Sequence, residues 1–162
     1  MSTHAEEYLY RPGEHLVLEG YRYWSSGVIT GDYSHWQKAQ LLYSEKLGHT
    51  EGKLLLMALS DFTRALGLCA TCPLKTSPIG CQSLCRDEVL ILGLLSGLQH
   101  DEQTTIILCL DGLVCGKKSE EVLYVAEILA STLKSLDKIL LPVPCKVIKS
   151  ILYGNSVAKS LH

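Results

Sequence analysis

No catalytic or nucleotide signature occurs in the 162 residues: there is no G-x-G-x-x-G, Walker A, G-x-S-x-G or kinase element. Nucleotide cofactors and the common hydrolase chemistries therefore have no support in the sequence. The six histidines, His4, His15, His35, His49, His100 and His162, are scattered, with no H-x3-H or H-E-x-x-H unit to build a histidine metal site. A basic excess is also missing. Fifteen Lys and Arg against 17 Asp and Glu leave a net charge of -2, which gives no field to condense onto phosphates, so nucleic acid is not an expected partner. Long apolar runs are absent too. The strongest, Val89 to Leu95 and Thr105 to Leu110, fall far short of the ~20 residues that cross a bilayer, so no membrane span is expected.

The opening Met1-Ser-Thr-His-Ala-Glu-Glu places two acids where a secretory signal carries positive charge. Seven cysteines is an odd number for a disulfide framework. Together these favour free thiols, a redox pair or metal ligation, and a cytoplasmic location.

What is present is an ordinary globular composition, 47% apolar and 20% charged, enough for one core without staples. The patterning is helical throughout, and the expected fold is all-α: a compact single-domain bundle of about six helices over residues 1–162. Residues 1–13, with the Pro12-Gly13 breaker, read as an irregular arm. From Glu14 the positions Leu16, Val17, Tyr21 and Trp24 make a helical stripe ending at Gly27, and Asp32 is placed to cap a second helix that runs to Gly48. Thr50 is the expected cap of a third, whose face is Leu54, Leu55, Ala58, Leu59, Phe62, Ala65 and Leu66, with Gly67 as its end. After a Cys/Pro-containing loop, Ser83 is the expected cap of the most buried helix, apolar nearly all round from Val89 to Leu98. Residues 104–114 carry a β-branched run that would suit a strand, but Ile106, Ile107, Leu110 and Leu113 keep helical spacing, and helix is preferred. A last long helix opens at Ser119. Leu141-Pro-Val-Pro144 breaks the pattern before a short helix over 146–153, and 155–162 is expected to be a mobile tail.

The most concentrated chemistry is Cys69, Cys72, Cys81 and Cys85, spaced C-x2-C-x8-C-x3-C within 17 residues. Each pair is spaced to point to one side of a helix end, so four sulfurs converge if the two ends meet. Four thiolates hold zinc, the first expectation, in a structural or regulatory role; an iron-sulfur cluster is the second. The spacing matches neither a zinc ribbon, which pairs two C-x2-C units, nor a ferredoxin. Two alternatives stand beside the metal site. A helix starting near Ser83, helped by Arg86, would lower the pKa of Cys81 or Cys85 and suit a redox sensor or a thiol enzyme. Otherwise the four thiols simply pack as small hydrophobes, as Cys109, Cys115 and Cys145 are expected to do. The triplet Arg86, Asp87 and Glu88 after Cys85 resembles the assistants of a nucleophile, but acids in a first turn, and an Arg pairing with a carboxylate of another helix, account for it more simply.

The aromatic residues Tyr8, Tyr10, Tyr21, Tyr23, Trp24, Tyr33, Trp36 and Tyr43 are crowded into the first quarter of the chain. Such side chains suit surfaces part apolar and part wet. A metal-free interaction module, docking a protein partner or a second copy through this region, is therefore a further expectation, with the mouth of a small-molecule pocket as its variant. The bland alternative is that the aromatics cover the leucine-rich core.

Overall fold

The computed structural model describes residues 7–70, 73–114 and 116–154. Its long elements are α1 (Pro12–Thr30), α2 (Ser34–Leu47), α3 (His49–Cys69), α4 (Arg86–His100), α5 (Gln103–Leu113) and α6 (Ser119–Ser135). A 3-10 turn, Gly116–Lys118, leads into α6, and a short α7 (Cys145–Lys149) continues as a π-turn, Ser150–Gly154. The fold is all-α. Residues 104–113 are helical because burying Thr105, Ile106, Cys109, Leu110 and Leu113 needs a three-to-four-residue period. The only ladder pairing among the described residues is a single antiparallel bridge, Ala70 to Val114.

The helices share one continuous core. Helix α2 lies on α1 and α3, α3 packs against α6, α6 against α4, and α4 against α5, which carries α7. The stripes that make these seams are regular. Helix α3 buries Leu55, Ala58, Leu59, Phe62, Leu66 and Cys69, and α6 buries Val122, Ala126, Leu129, Ala130 and Leu133. Helix α4 is buried on every side from Leu90 to Gly97, as its all-round apolar sequence implies. Leu66, Leu90, Leu94, Leu95 and Leu133 are fully enclosed, each stabilising the fold by about 1.5–3 kcal/mol relative to exposure.

Several boundaries differ from those expected. Helix α1 starts at Pro12 rather than Glu14, because proline at the first helical position loses only an N–H that would have no partner there. The irregular arm is corrected further by residues 7–9, which are helical, and by contacts from 8–14 to residues 139–142. Tyr8 donates to the Pro142 carbonyl at 3.2 Å, Arg11 to the Ile139 carbonyl at 3.0 Å, and Leu141 N–H to buried Glu14 at 2.7 Å. Gly27 does not end α1; the helix runs on to Thr30, and Gly31 closes it in the left-handed conformation at φ 72°. Helix α3 is capped at Gly48 rather than Thr50 and passes through Gly67 to Cys69. Asp32 accepts from Ser34 N–H at 3.0 Å, while Tyr33 holds the cap position of α2. Residues 1–6 and 155–162, including the expected tail, lie outside the described residues.

Gln99, near the end of α4, fixes the segment after α6. Its amide donates to the carbonyls of Ala130 and Lys138 at 3.2 and 3.1 Å and accepts from Leu140 N–H at 2.7 Å. His100 Nε2 adds a contact to the Leu140 carbonyl at 2.8 Å.

Candidate functional site

Two regions draw the chemistry-bearing side chains together. The first is an open cleft across α1, α2 and α3 enclosing about 360 Å³, within the range of small-molecule sites. Each helix offers one face to it: Gly20 and Trp24 from α1, Trp36, Ala39 and Gln40 from α2, and Leu56, Ser60 and Arg64 from α3. Gly20 and Trp24 are four apart, Ala39 and Gln40 lie three and four beyond Trp36, and Leu56, Ser60 and Arg64 step by four, the spacing that aligns side chains on one face. Close helix approach comes from the missing side chains of two glycines. A Cβ at Gly27 would lie 2.6 Å from the Trp36 indole, and one at Gly20 would collide with Tyr43 and Leu59. Trp36 thus lies against the backbone of α1, with Tyr33 edge-on to it at 5.7 Å between ring centroids. The Trp36 Nε1 and His35 Nδ1 atoms are buried without a hydrogen-bond partner. At the rim, exposed Arg64 forms no salt bridge among the described residues.

The crowding of aromatics in the sequence divides into separate roles. Tyr21 and Tyr43 are core residues. Tyr43 donates to the Leu16 carbonyl and Tyr21 to the Lys75 carbonyl, and burial raises the pKa of both hydroxyls. Trp24 and Trp36 line the cleft, while Tyr10 and Tyr33 are exposed. Gln40, Ser60 and Arg64 sit at positions that read as ordinary solvated faces, so only the packing of α3 on α1 and α2 reveals them.

The second region surrounds the cysteine segment. Arg22, fully buried on α1, pairs with fully buried Glu88 through Nε at 2.7 Å and Nη2 at 3.1 Å, and with Glu19 at 3.2 Å. Its guanidinium also donates to the carbonyls of Cys81 at 2.9 Å and Ser83 at 3.0 Å. Glu88 accepts in turn from Ser77 N–H at 3.3 Å and Cys85 N–H at 3.1 Å, and Asp87 accepts from Lys75 N–H at 2.7 Å. Burial pushes the Glu88 carboxyl up, but the bonds from Arg22 and the Cys85 N–H, with the arginine charge, hold it below its ordinary value. The net effect is an ion pair whose remaining valences hold residues 75–85 in place. Sequence reading missed this pair, although an arginine one residue beyond the buried Leu16–Tyr21 stripe was its signal.

Of the four cysteines, Cys69 is buried at the end of α3, where its thiol contacts the Glu121 carboxylate of α6 at 3.6 Å. Cys72 lies outside the described residues. Cys85, rather than Ser83, caps α4 in a capping box with Glu88, and its thiol donates to the Lys75 carbonyl at 3.4 Å. Cys81 accepts from Ser83 N–H at 3.5 Å. Cys69 therefore faces α6, whereas Cys81 and Cys85 belong to the segment held by Arg22. Among the described residues, no three His, Cys, Asp or Glu side chains gather as a metal-holding group.

The helix start does not lower the Cys85 pKa as expected: burial raises it, and with the Glu88 carboxylate adding to the rise, the backbone N–H groups of the first turn do not offset it. Burial and Glu121 also raise Cys69. Arg86 pairs with Asp87 at 2.7 Å and donates to the Gly112 carbonyl at 3.0 Å, so the charged triplet is engaged in holding backbone and helix ends. No described helix is long and apolar enough to cross a membrane. Compared with protein-family models, curated proteins and solved structures, the chain has no match.

Proposed function

We propose that the protein is a small-molecule-binding domain, and that its cleft receives a flat apolar acid, with the apolar body against Trp24 and Trp36 and the acid group on Arg64. The observation that carries this reading is the combination in one 360 Å³ cleft of both indoles and a guanidinium that forms no salt bridge among the described residues. Indole faces favour a planar apolar body. An unpaired guanidinium favours a planar anion that accepts two hydrogen bonds. The volume suits a small molecule better than a protein surface, which buries far more area.

The chain has only two tryptophans, and both line the cleft, so selectively excited tryptophan emission reports on this site. Titration with 2-naphthoate is expected to change that emission saturably, and Arg64→Ala to weaken binding roughly tenfold. Neutral 2-naphthol should bind wild type and variant alike. No saturable change with naphthoate, or equal affinity in the variant, would overturn the assignment.

A second reading keeps the cysteines as a site for zinc, or behind it an iron-sulfur cluster, on Cys69, Cys72, Cys81 and Cys85. Its support is that Cys69 closes α3 and Cys85 opens α4, so the thiols flank one segment. Cys69 would have to turn from Glu121, and Cys85 from the Lys75 carbonyl. Elemental analysis of protein purified without a metal-binding tag decides it: about one zinc per chain, lost in Cys81→Ser, is the expected result. The alternative of a low-pKa thiolate at Cys85 has the raised pKa against it. Free thiols at Cys69, Cys81, Cys85, Cys109 and Cys145 support placement in a reducing compartment.

A further inference from the structure

Helix α5 is packed by α4 on one side and by α7 on another, and the three meet at Gly93. A Cβ at Gly93 would lie 2.7 Å from the Cys109 sulfur of α5 and 2.9 Å from the Ile148 Cδ1 of α7. The Cys109 thiol and the Ile148 side chain therefore converge on one point of α4. Cys145 stands three residues before Ile148, on the same face of α7. That spacing sets Cys145 on the face of α7 that packs against α4 and α5. The pKa of Cys109 carries a trace of this neighbour: burial pushes it up to about 12, and Cys145 adds to the rise. Cys109 is fully buried and Cys145 half-buried, so one thiol is open to reagents and the other waits behind it. Gln99 and His100 fix the residues leading to Cys145.

From this arrangement we infer that Cys109 and Cys145 are a thiol pair that hydroperoxides convert to a reversible disulfide, joining α5 to α7. The sulfur of Cys145 attacks the peroxide O–O bond, forming a sulfenic acid and releasing one water. Cys109 then attacks that sulfur and expels its hydroxyl as a second water. Two thiols are oxidised to one disulfide while hydrogen peroxide is reduced to two waters, and an external thiol reverses the change. The bond would hold α7 and the following π-turn against the core, independently of the cleft and of any metal on the other cysteines.

The test is peptide mapping of the reduced, full-length protein after one equivalent of hydrogen peroxide, with free thiols alkylated before digestion. The expected product is a cross-link between the Cys109 and Cys145 peptides that dithiothreitol removes. Oxidised wild type should melt roughly 5–10 °C above the reduced protein. Cys145→Ser, at a half-buried position, should abolish both the cross-link and the shift. Cys109 alkylatable after Cys145 has become sulfinic acid, or Cys145 paired with a different cysteine, would overturn the inference.

Discussion

Arg22 and Trp24 are two residues apart on α1 and so point to nearly opposite sides of it, about 200° around the helix. On Arg22's side the polar groups are enclosed and partnered: the guanidinium bonds two carboxylates and two carbonyls, and Glu88 accepts from the arginine and two backbone amides. Trp24's side faces the open cleft. Among the described residues, Arg64 forms no salt bridge and buried Trp36 Nε1 has no acceptor. A closed polar network holds the chain in one arrangement, and an incomplete one leaves room for a ligand to complete it. One helix thus separates a region committed to stability from a region available for binding.

The comparison is broken most severely by Arg22→Met. Glu88 would be left charged and buried, at an expected cost of about 3–5 kcal/mol in urea unfolding. Replacing both partners, Arg22→Met with Glu88→Leu, should recover only part of that loss, because Cys81 and Ser83 carbonyls and Ser77 and Cys85 amides would lack their present partners. Full recovery would mean that holding the loop contributes little.

Acid acts on the same region with a definite sign. The Glu88 pKa is depressed in the folded protein, so its contribution is fully present above its unfolded value of about 4.3. That contribution drains away as pH falls through the folded value. Stability of wild type should therefore drop more steeply below that point than stability of the double variant, as measured by chemical unfolding at a series of pH values.

Smaller effects sharpen the contrast. Tyr43→Phe removes one buried hydroxyl bonded to Leu16, and about 1 kcal/mol is the expected loss. Arg64→Ala should change stability by less than about 0.5 kcal/mol while weakening naphthoate binding. A large loss of stability there would make Arg64 a structural residue and remove the distinction between the two sides of α1.

Periodicity made α3, α4 and α6 readable in the sequence, since each must bury a stripe or its whole circumference. Glycine was the least dependable sign. Gly27 reads as a stop, yet inside α1 it is the space that Trp36 fills; nothing in the structure explains why Gly67 stands within α3. The aromatic crowding includes Trp24 and Trp36, which line the cleft, but a polar residue on an outer helical face has the same pattern whether it meets water or a cleft. Arg64, Ser60 and Gln40 were invisible for that reason. The Arg22–Glu88 pair spans 66 positions, a distance over which local patterning carries no information.

The contacts between residues 8–14 and 139–142 join parts of the chain 127 to 134 positions apart. Closing so large a loop costs entropy before its hydrogen bonds form, so this seam belongs late in folding, after α3, α4 and α6 have met. Once made, it denies the helices an easy end from which to unravel: freeing the start of α1 also uncovers the buried Leu140, which lies against Gly13. Fraying at that end of the molecule is thereby coupled to loss of core, which favours cooperative unfolding over gradual peeling.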